Sequence, residues 1–269
     1  NLPSPPRSVK TEPPQKEERR KIIELEAEPQ LAIGYHIPTY PHFDAYVLSF
    51  ISHALSEGRT SRLYKRMVES KKAISATTGC GFPSIRYPNL FVFRATPIFP
   101  TTTQELEEMF YQEIEKIKEK GLTGVEFEKI KNQLKTSFIR DLQSNMSIAQ
   151  QITFYEGFFG GWEKLLEYFE IIEKITNEEV KRVAKKYFTK TNRTVVVAKK
   201  REGVKTIREI AEEYYEEKYK KPLPPSLHEK ITEVLTQLEE VEKTQGTTIP
   251  RETKIQIVKQ MIDKIGGGK

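Results

Sequence analysis

Asn89-Leu90-Phe91-Val92-Phe93-Arg94-Ala95-Thr96-Pro97, followed shortly by Thr102-Thr103-Gln104-Glu105-Leu106, changes its periodicity within one turn of chain. The first run is apolar and aromatic through Leu90 to Phe93, as a buried strand requires. The second opens with Thr102 and Glu105 at capping-box spacing, where the two side chains can satisfy the unpaired amides of a first helical turn. Leu106, Met109, Phe110, Ile114 and Ile117 then recur at helical spacing. A strand joined directly to an amphipathic helix predicts a layer of sheet against a layer of helices.

The same reading extends outward. Residues 21–27, 30–37, 73–82 and 192–198 read as further strands, the last centred on Thr194-Val195-Val196-Val197. Residues 42–57 and 61–70 read as helices separated by Gly58. Thr123 with Glu126 and Thr176 with Glu179 repeat the capping-box spacing, followed by the stripes Phe127, Ile130, Leu134, Phe138 and Val180, Val183, Ala184, Tyr187. The aromatic cluster from Phe154 to Trp162 reads as core at a helix–helix corner. Strands and helices fall in separate runs, which predicts an α+β fold: an antiparallel or mixed sheet of about five or six strands with helices mainly on one face.

Both ends differ from this body. Residues 1–19 are rich in proline and charge and read as an extended linker, while 20–200 form the main domain. The opening Asn1-Leu2-Pro3-Ser4-Pro5-Pro6 reads as an extended linker rather than a native start, and a larger precursor, with any export signal upstream, is the expectation. Residues 201–269 read as a charged helical extension: helices at 207–219, 226–241 and 252–265, broken by Pro222-Leu223-Pro224-Pro225 and the Gly246-Thr247-Thr248-Ile249-Pro250 turn. Ser226 with Glu229 again has capping-box spacing, and Leu227, Ile231, Val234, Leu235, Leu238 and Val241 make a stripe that must be covered, on this domain or on a partner.

Composition narrows the function classes. The 269 residues carry a net charge of +6, but 30% are charged and Lys and Glu are interleaved, so no concentrated basic face is demanded. With no recognisable nucleic-acid fold motif, no nucleic-acid partner is expected. No apolar run approaches the roughly 20 residues of a membrane span; a soluble protein is expected, with periplasm and cytoplasm both open. Abundant Lys and Glu with one Cys and few Met is also the balance of heat-adapted proteins. Cys80 reads as a small buried hydrophobe, and four histidines, His36, His42, His53 and His228, are spaced too widely for a metal motif. His53 with Glu57 lacks a second His, and His42 reads as a helix entry.

Leu55-Ser56-Glu57-Gly58-Arg59-Thr60-Ser61-Arg62-Leu63-Tyr64-Lys65-Arg66-Met67-Val68-Glu69 resembles the Gly-Arg-Ser-Ser-Arg-Leu-Tyr signature of the C-terminal, zinc-free half of the insulinase/pitrilysin (M16) peptidases, which include the mitochondrial processing peptidases. Tyr35-His36-Ile37-Pro38 with His42-Phe43-Asp44-Ala45-Tyr46 is similar to further blocks of that family. So are Ile175-Thr176-Asn177-Glu178-Glu179-Val180, Ala184-Lys185-Lys186-Tyr187-Phe188 and Asn192-Arg193-Thr194-Val195. The likeness covers about residues 20–200. It implies two homologous halves closing like a clamshell on an extended peptide, with zinc held only by a partner half through a His-x-x-Glu-His motif that this chain lacks. No cofactor is therefore expected here, and zinc is expected in the partner.

In some zinc-free halves an Arg and a Tyr reach toward the substrate carbonyl. The matching positions are Val68 and Ser75, so the resemblance implies that this chain does not provide that pair, and that it is inactive alone and works in a heterodimer or homodimer. Arg62, Tyr64 and Arg66 are the candidates for contact with substrate or the opposing domain, against plain surface solvation with Tyr64 packed on the sheet. The competing reading is a purely structural subunit descended from such a peptidase.

Overall fold

The computed structural model describes residues 12–85, 87–201, 205–245 and 247–266. Residues 1–11 of the expected linker, and Gly246 of the expected turn, lie outside them; residues 12–18 contain neither helix nor strand. Among the described residues the strands β1 (Arg19–Leu25), β2 (Gln30–Ile37), β3 (Ala73–Phe82), β4 (Asn89–Pro97) and β5 (Arg193–Lys200) form one sheet in the order β1-β5-β2-β4-β3. β1 runs parallel to β5 and every other neighbour is antiparallel, so the sheet is mixed. Helices α1 (Phe43–Ser56), α2 (Thr103–Lys120), α3 (Gly124–Asp141), α4 (Asn145–Phe159), α5 (Lys164–Lys174) and α6 (Asn177–Tyr187) complete the α+β body.

Alternation along the strands decides which face the helices take. On β2, Leu31, Ile33, Tyr35 and Ile37 are buried while Ala32, Gly34 and His36 between them are only half-buried. Phe91, Phe93 and Ala95 of β4 and Val195 and Val197 of β5 share the buried side, against Phe50 and Ile51 of α1, Phe110 of α2 and Val183 of α6. Phe93 stacks on Phe110 with ring centroids 4.1 Å apart. Each such side chain contributes about 1.5–3 kcal/mol by leaving water.

The capping boxes at Thr102 and Thr123 are complete, with both reciprocal bonds made. At Thr176 the box is half-made: its hydroxyl accepts from the Glu179 amide at 3.2 Å, but the Glu179 carboxylate turns to Arg182. Asp44, buried in the first turn of α1, ties that helix to α6 by accepting from Arg182 (2.6 Å), Lys186 (2.8 Å) and the Tyr187 hydroxyl (2.8 Å). Burial opposes its ionisation, yet these three donors hold the carboxyl well below its usual range. His42 is the N-cap of α1, its Nδ1 accepting from the Asp44 amide at 3.0 Å, as its sequence position suggested. The aromatic segment forms a helix–helix corner, as expected: α4 ends at Gly160 in the left-handed region and α5 begins just beyond Trp162.

Three details differ from the sequence reading. β1 starts two residues early, at Arg19, and its apolar residues are exposed, Ile22 at 52%. It is an edge strand positioned by its ladder with β5 and by the bond from Arg20 to the buried Glu107 of α2, not by apolar alternation. The short helix expected at 61–70 winds wider: Tyr64–Glu69 is a π-helical turn, closed by the Lys72 amide on the Met67 carbonyl at 2.9 Å, with Leu63 and Met67 both buried in the core. The third concerns the extension.

That extension is α7 (Ile207–Tyr219), α8 (Pro225–Gln245) and α9 (Arg251–Gly266). Thr206 and Glu209 form a complete capping box for α7. The expected box at Ser226 does not form, because α8 begins one residue earlier with Pro225 and the Glu229 carboxylate accepts from Lys71 instead. Ala211, Leu223, Leu227, Ile231, Val258 and Ile262 close a separate small core among the three helices.

Candidate functional site

Among the described residues, the side of the sheet opposite the helices is the face without a helical layer over it, although Val92 of β4 and Ala198 of β5 are buried there. Ala32, Gly34 and His36 of β2 alternate there with Leu90, Arg94 and Thr96 of β4, with Thr194 and Val196 of β5 alongside. Small residues keep it shallow. A Cβ at Gly34 would come within 3.2 Å of the Leu90 side chain, so the absent side chain lets Leu90 lie across the strand. At the β3 end Arg94 sits over the Phe82 ring, 5.1 Å from its centroid, and Phe82 is 51% exposed.

At the other end, residues 12–18 run beside the strand ends. The Glu12 carboxylate lies 3.2 Å from His36 Nε2, the Gln15 amide donates to the Arg193 carbonyl at 2.7 Å, and Glu18 pairs with the Arg193 guanidinium. Arg19, and after it His36, hold the Glu12 carboxyl below its usual range. His36 Nδ1 is buried with no partner among the described residues.

The residues singled out from the sequence fall on both sides of the sheet. Ser75 is exposed on β3, opposite Thr96 in the ladder, while Val68 packs partly against the main core. Arg62, Tyr64 and Arg66 lie on the helical side. Arg62 donates through Nε and Nη2 to both carboxylate oxygens of Glu126, at 2.8 and 2.7 Å, and through Nη2 to the Gly121 carbonyl at 3.3 Å. The Glu126 carboxyl is drawn down to about 2, chiefly by that guanidinium. Arg66 pairs with Glu113 and Gln112, and Tyr64 is half-buried. Both arginines thus brace the π-helical turn against α2 and α3, and a groove of about 530 Å³ runs between these elements.

Arg94 and Phe82 of the uncovered face were not singled out from sequence, and His36 was weighed there only as a metal ligand and as part of the 35–38 block. The signal for them was the strand alternation itself, once one knows which parity faces the helices. Among the described residues no group of three or more His, Cys, Asp or Glu is placed to hold a metal ion. His36, His42, His53 and His228 sit on β2, at the α1 cap, within α1 and on α8 respectively. No described helix is long and apolar enough to cross a membrane.

Comparison with known proteins agrees with this geometry. The family model of the peptidase M16 inactive domain matches residues 1–134. The chain is 26% identical over 175 residues to zinc protease PqqE of Helicobacter pylori, covering 63% of this chain and 38% of that protein. It superposes on the crystal structure of a protease from Helicobacter pylori with a TM-score of 0.68 at 25% identity, over 74% of this chain and 48% of the other. The inactive peptidase domain of a candidate zinc protease from Bordetella parapertussis has the same fold, with a TM-score of 0.58 at 19% identity, over 65% of this chain and 94% of that one. The chain therefore spans less than half the length of the two Helicobacter relatives. The resemblance read from residues 55–69 and the outlying blocks is borne out: the matched part is of the M16 inactive-domain family.

Proposed function

We propose that this chain is the zinc-free half of a clamshell metallopeptidase, which encloses and positions an extended peptide for a zinc-bearing homologous half on another segment or chain. The observation that carries this reading is the one-sided sheet: one face is buried under the helices, while the other offers a shallow surface of strand backbone and small side chains. A wall of that shape suits an extended peptide, whose side chains need room on both sides of its backbone.

In this reading the half contributes confinement and not chemistry. Ser75 stands on the uncovered face without the phenol that would reach a substrate carbonyl, and Val68 is turned into the fold, so polarising groups and zinc both belong to the partner. Arg62 and Arg66 then act by holding the π-helical turn in place, one step removed from the peptide.

The test is reconstitution. The chain is mixed with a homologous chain bearing His-x-x-Glu-His, and the mass of the complex, its zinc content and its hydrolysis of an unfolded peptide are measured. One zinc per pair and cleavage that neither chain achieves alone is the expected result. A stable zinc-containing pair that cleaves nothing favours the structural-subunit reading, and failure to associate sinks the proposal.

A further inference from the structure

Away from the uncovered face, two chambers run together between α1, α3, α4 and α5. The outer one, of about 690 Å³, and the inner one, of about 420 Å³, share His53, Glu57, Leu134, Phe154, Tyr155 and Tyr168 in their walls. Both volumes lie in the range of small-ligand pockets.

Aromatic rings enclose the inner chamber. Tyr40 meets Tyr46 edge-on at 4.9 Å and Phe159 at 5.7 Å, Tyr155 lies 4.8 Å from Phe159, and Tyr46 lies 6.3 Å from Tyr168. Rings arranged this way present both edges and faces to a planar guest. The polar atoms are of two kinds. Ser52, Ser56 and Thr78 satisfy one another, with hydroxyl separations of 2.9 and 2.8 Å and the Thr78 amide on the Ser56 oxygen at 3.0 Å. By contrast, the hydroxyls of Tyr46, Tyr155 and Tyr168 have no hydrogen-bond partner among the described residues, and none is a buried orphan atom, so they open onto accessible space. Burial pushes Tyr46 and Tyr168 up to about 12, so all stay protonated and each has a proton to give. In the inner chamber's wall the one carboxylate, Glu57, and the one imidazole, His53, stand where it meets the outer chamber.

Ring faces and edges, spare hydroxyl donors and the scarcity of charge specify the guest. We propose that this cleft binds an uncharged aromatic group carrying a hydrogen-bond acceptor, either as a free small molecule or as the aromatic side chain of a peptide beside its own carbonyl. The ring occupies the inner chamber and the acceptor takes protons from the tyrosines. The site is independent of the peptidase reading, because it lies on the helical side and its occupation can be measured on the chain alone.

The experiment titrates the folded full chain with benzamide as the free probe and N-acetyl-Gly-Phe-Gly-amide as the peptide probe, using calorimetry and protein-observed NMR. Both are expected to saturate at one site, with benzoate and cyclohexanecarboxamide at least about tenfold weaker because each lacks one feature of the guest. Ser49→Phe, which fills the inner chamber, is expected to abolish binding. The triple variant Tyr46→Phe, Tyr155→Phe and Tyr168→Phe keeps the rings and is expected to weaken benzamide about tenfold, equivalent to one or two lost hydrogen bonds. A peptide probe tighter than benzamide assigns the natural guest to a peptide side chain, and the reverse assigns it to a free molecule; either supports the site. Absence of saturable binding to the folded chain, or equal binding by the triple variant, overturns it.

Discussion

The α+β body and the C-terminal helices hold themselves together in different ways. The body's main core draws on residues from Leu31 to Val197 and joins strands to helices far apart in the sequence, with a smaller cluster of Phe138, Tyr155, Phe159 and Leu165 beside it. Among the described residues the extension's core has six buried apolar residues, five from its three helices and Leu223 from the loop between α7 and α8, and the extension reaches the body through charged groups at their junction. Lys200 pairs with Glu209, Lys71 with Glu229 at 2.9 Å, and Glu26 with Arg201 at 2.9 Å and with Arg251 at 4.0 Å. Lys71 and Glu229 are 79% and 70% exposed, so water and salt screen much of their attraction. The difference teaches that the extension is a folded unit attached at its rim, and that apolar burial does not couple the two cores. A tether to a partner half, as expected from sequence, would have to use a surface other than the small core.

The strongest attempt to break this comparison is Phe110→Ala in the body. Losing the ring stacked on Phe93 should cost about 3–5 kcal/mol of body stability. Denaturant unfolding followed by near-UV dichroism would read it, and a loss below about 1 kcal/mol would show that the core is not continuous there.

Ile231→Ala is next. It removes a fully buried side chain from the small core and should cost about 2–5 kcal/mol, confined to residues 205–266. Hydrogen exchange should show α7–α9 deprotected while β2 and β4 stay protected. Equal deprotection of the sheet would mean that the two regions unfold as one.

Acid should sharpen the contrast. The Glu126 carboxyl is lowered to about 2 in the folded body by Arg62, against about 4.3 in an unfolded chain. A lowered folded value gives stability that is fully present above the unfolded value and is lost as the pH falls through the folded one. The body should therefore weaken between about pH 4 and 2, and Glu126→Gln should flatten that part of the profile. An unchanged profile would show that the Arg62 brace does not contribute to stability.

The smallest effect is at the rim. Lys71→Ala, which removes an exposed ion pair between the two regions, should change stability by less than about 1 kcal/mol. A larger loss, with α8 deprotected, would turn the rim contact into a real coupling.

Much of this was legible in the chain because it depends on near neighbours. The Thr102 and Thr123 caps, the β4 run and the 55–69 segment have their meaning within a few residues, where spacing alone decides which groups meet. The half-made box at Thr176 and the absent one at Ser226 mark the limit, because Arg182 and Lys71 compete for the same carboxylates. Arg182 is on the same helix, but Lys71 is 158 positions away.

The sequence by itself determined the element types, the one-sided patterning of the strands and the lack of a zinc motif, since periodicity and residue chemistry are local properties. Only the tertiary structure decided that β1 is an exposed parallel edge and that Arg62 and Arg66 are occupied by Glu126 and Glu113. It also decided that unpartnered tyrosine hydroxyls share one cleft, and that the extension closes on itself. Each of these depends on which distant group arrives first at a donor, an acceptor or an apolar face, and that is settled by packing in three dimensions.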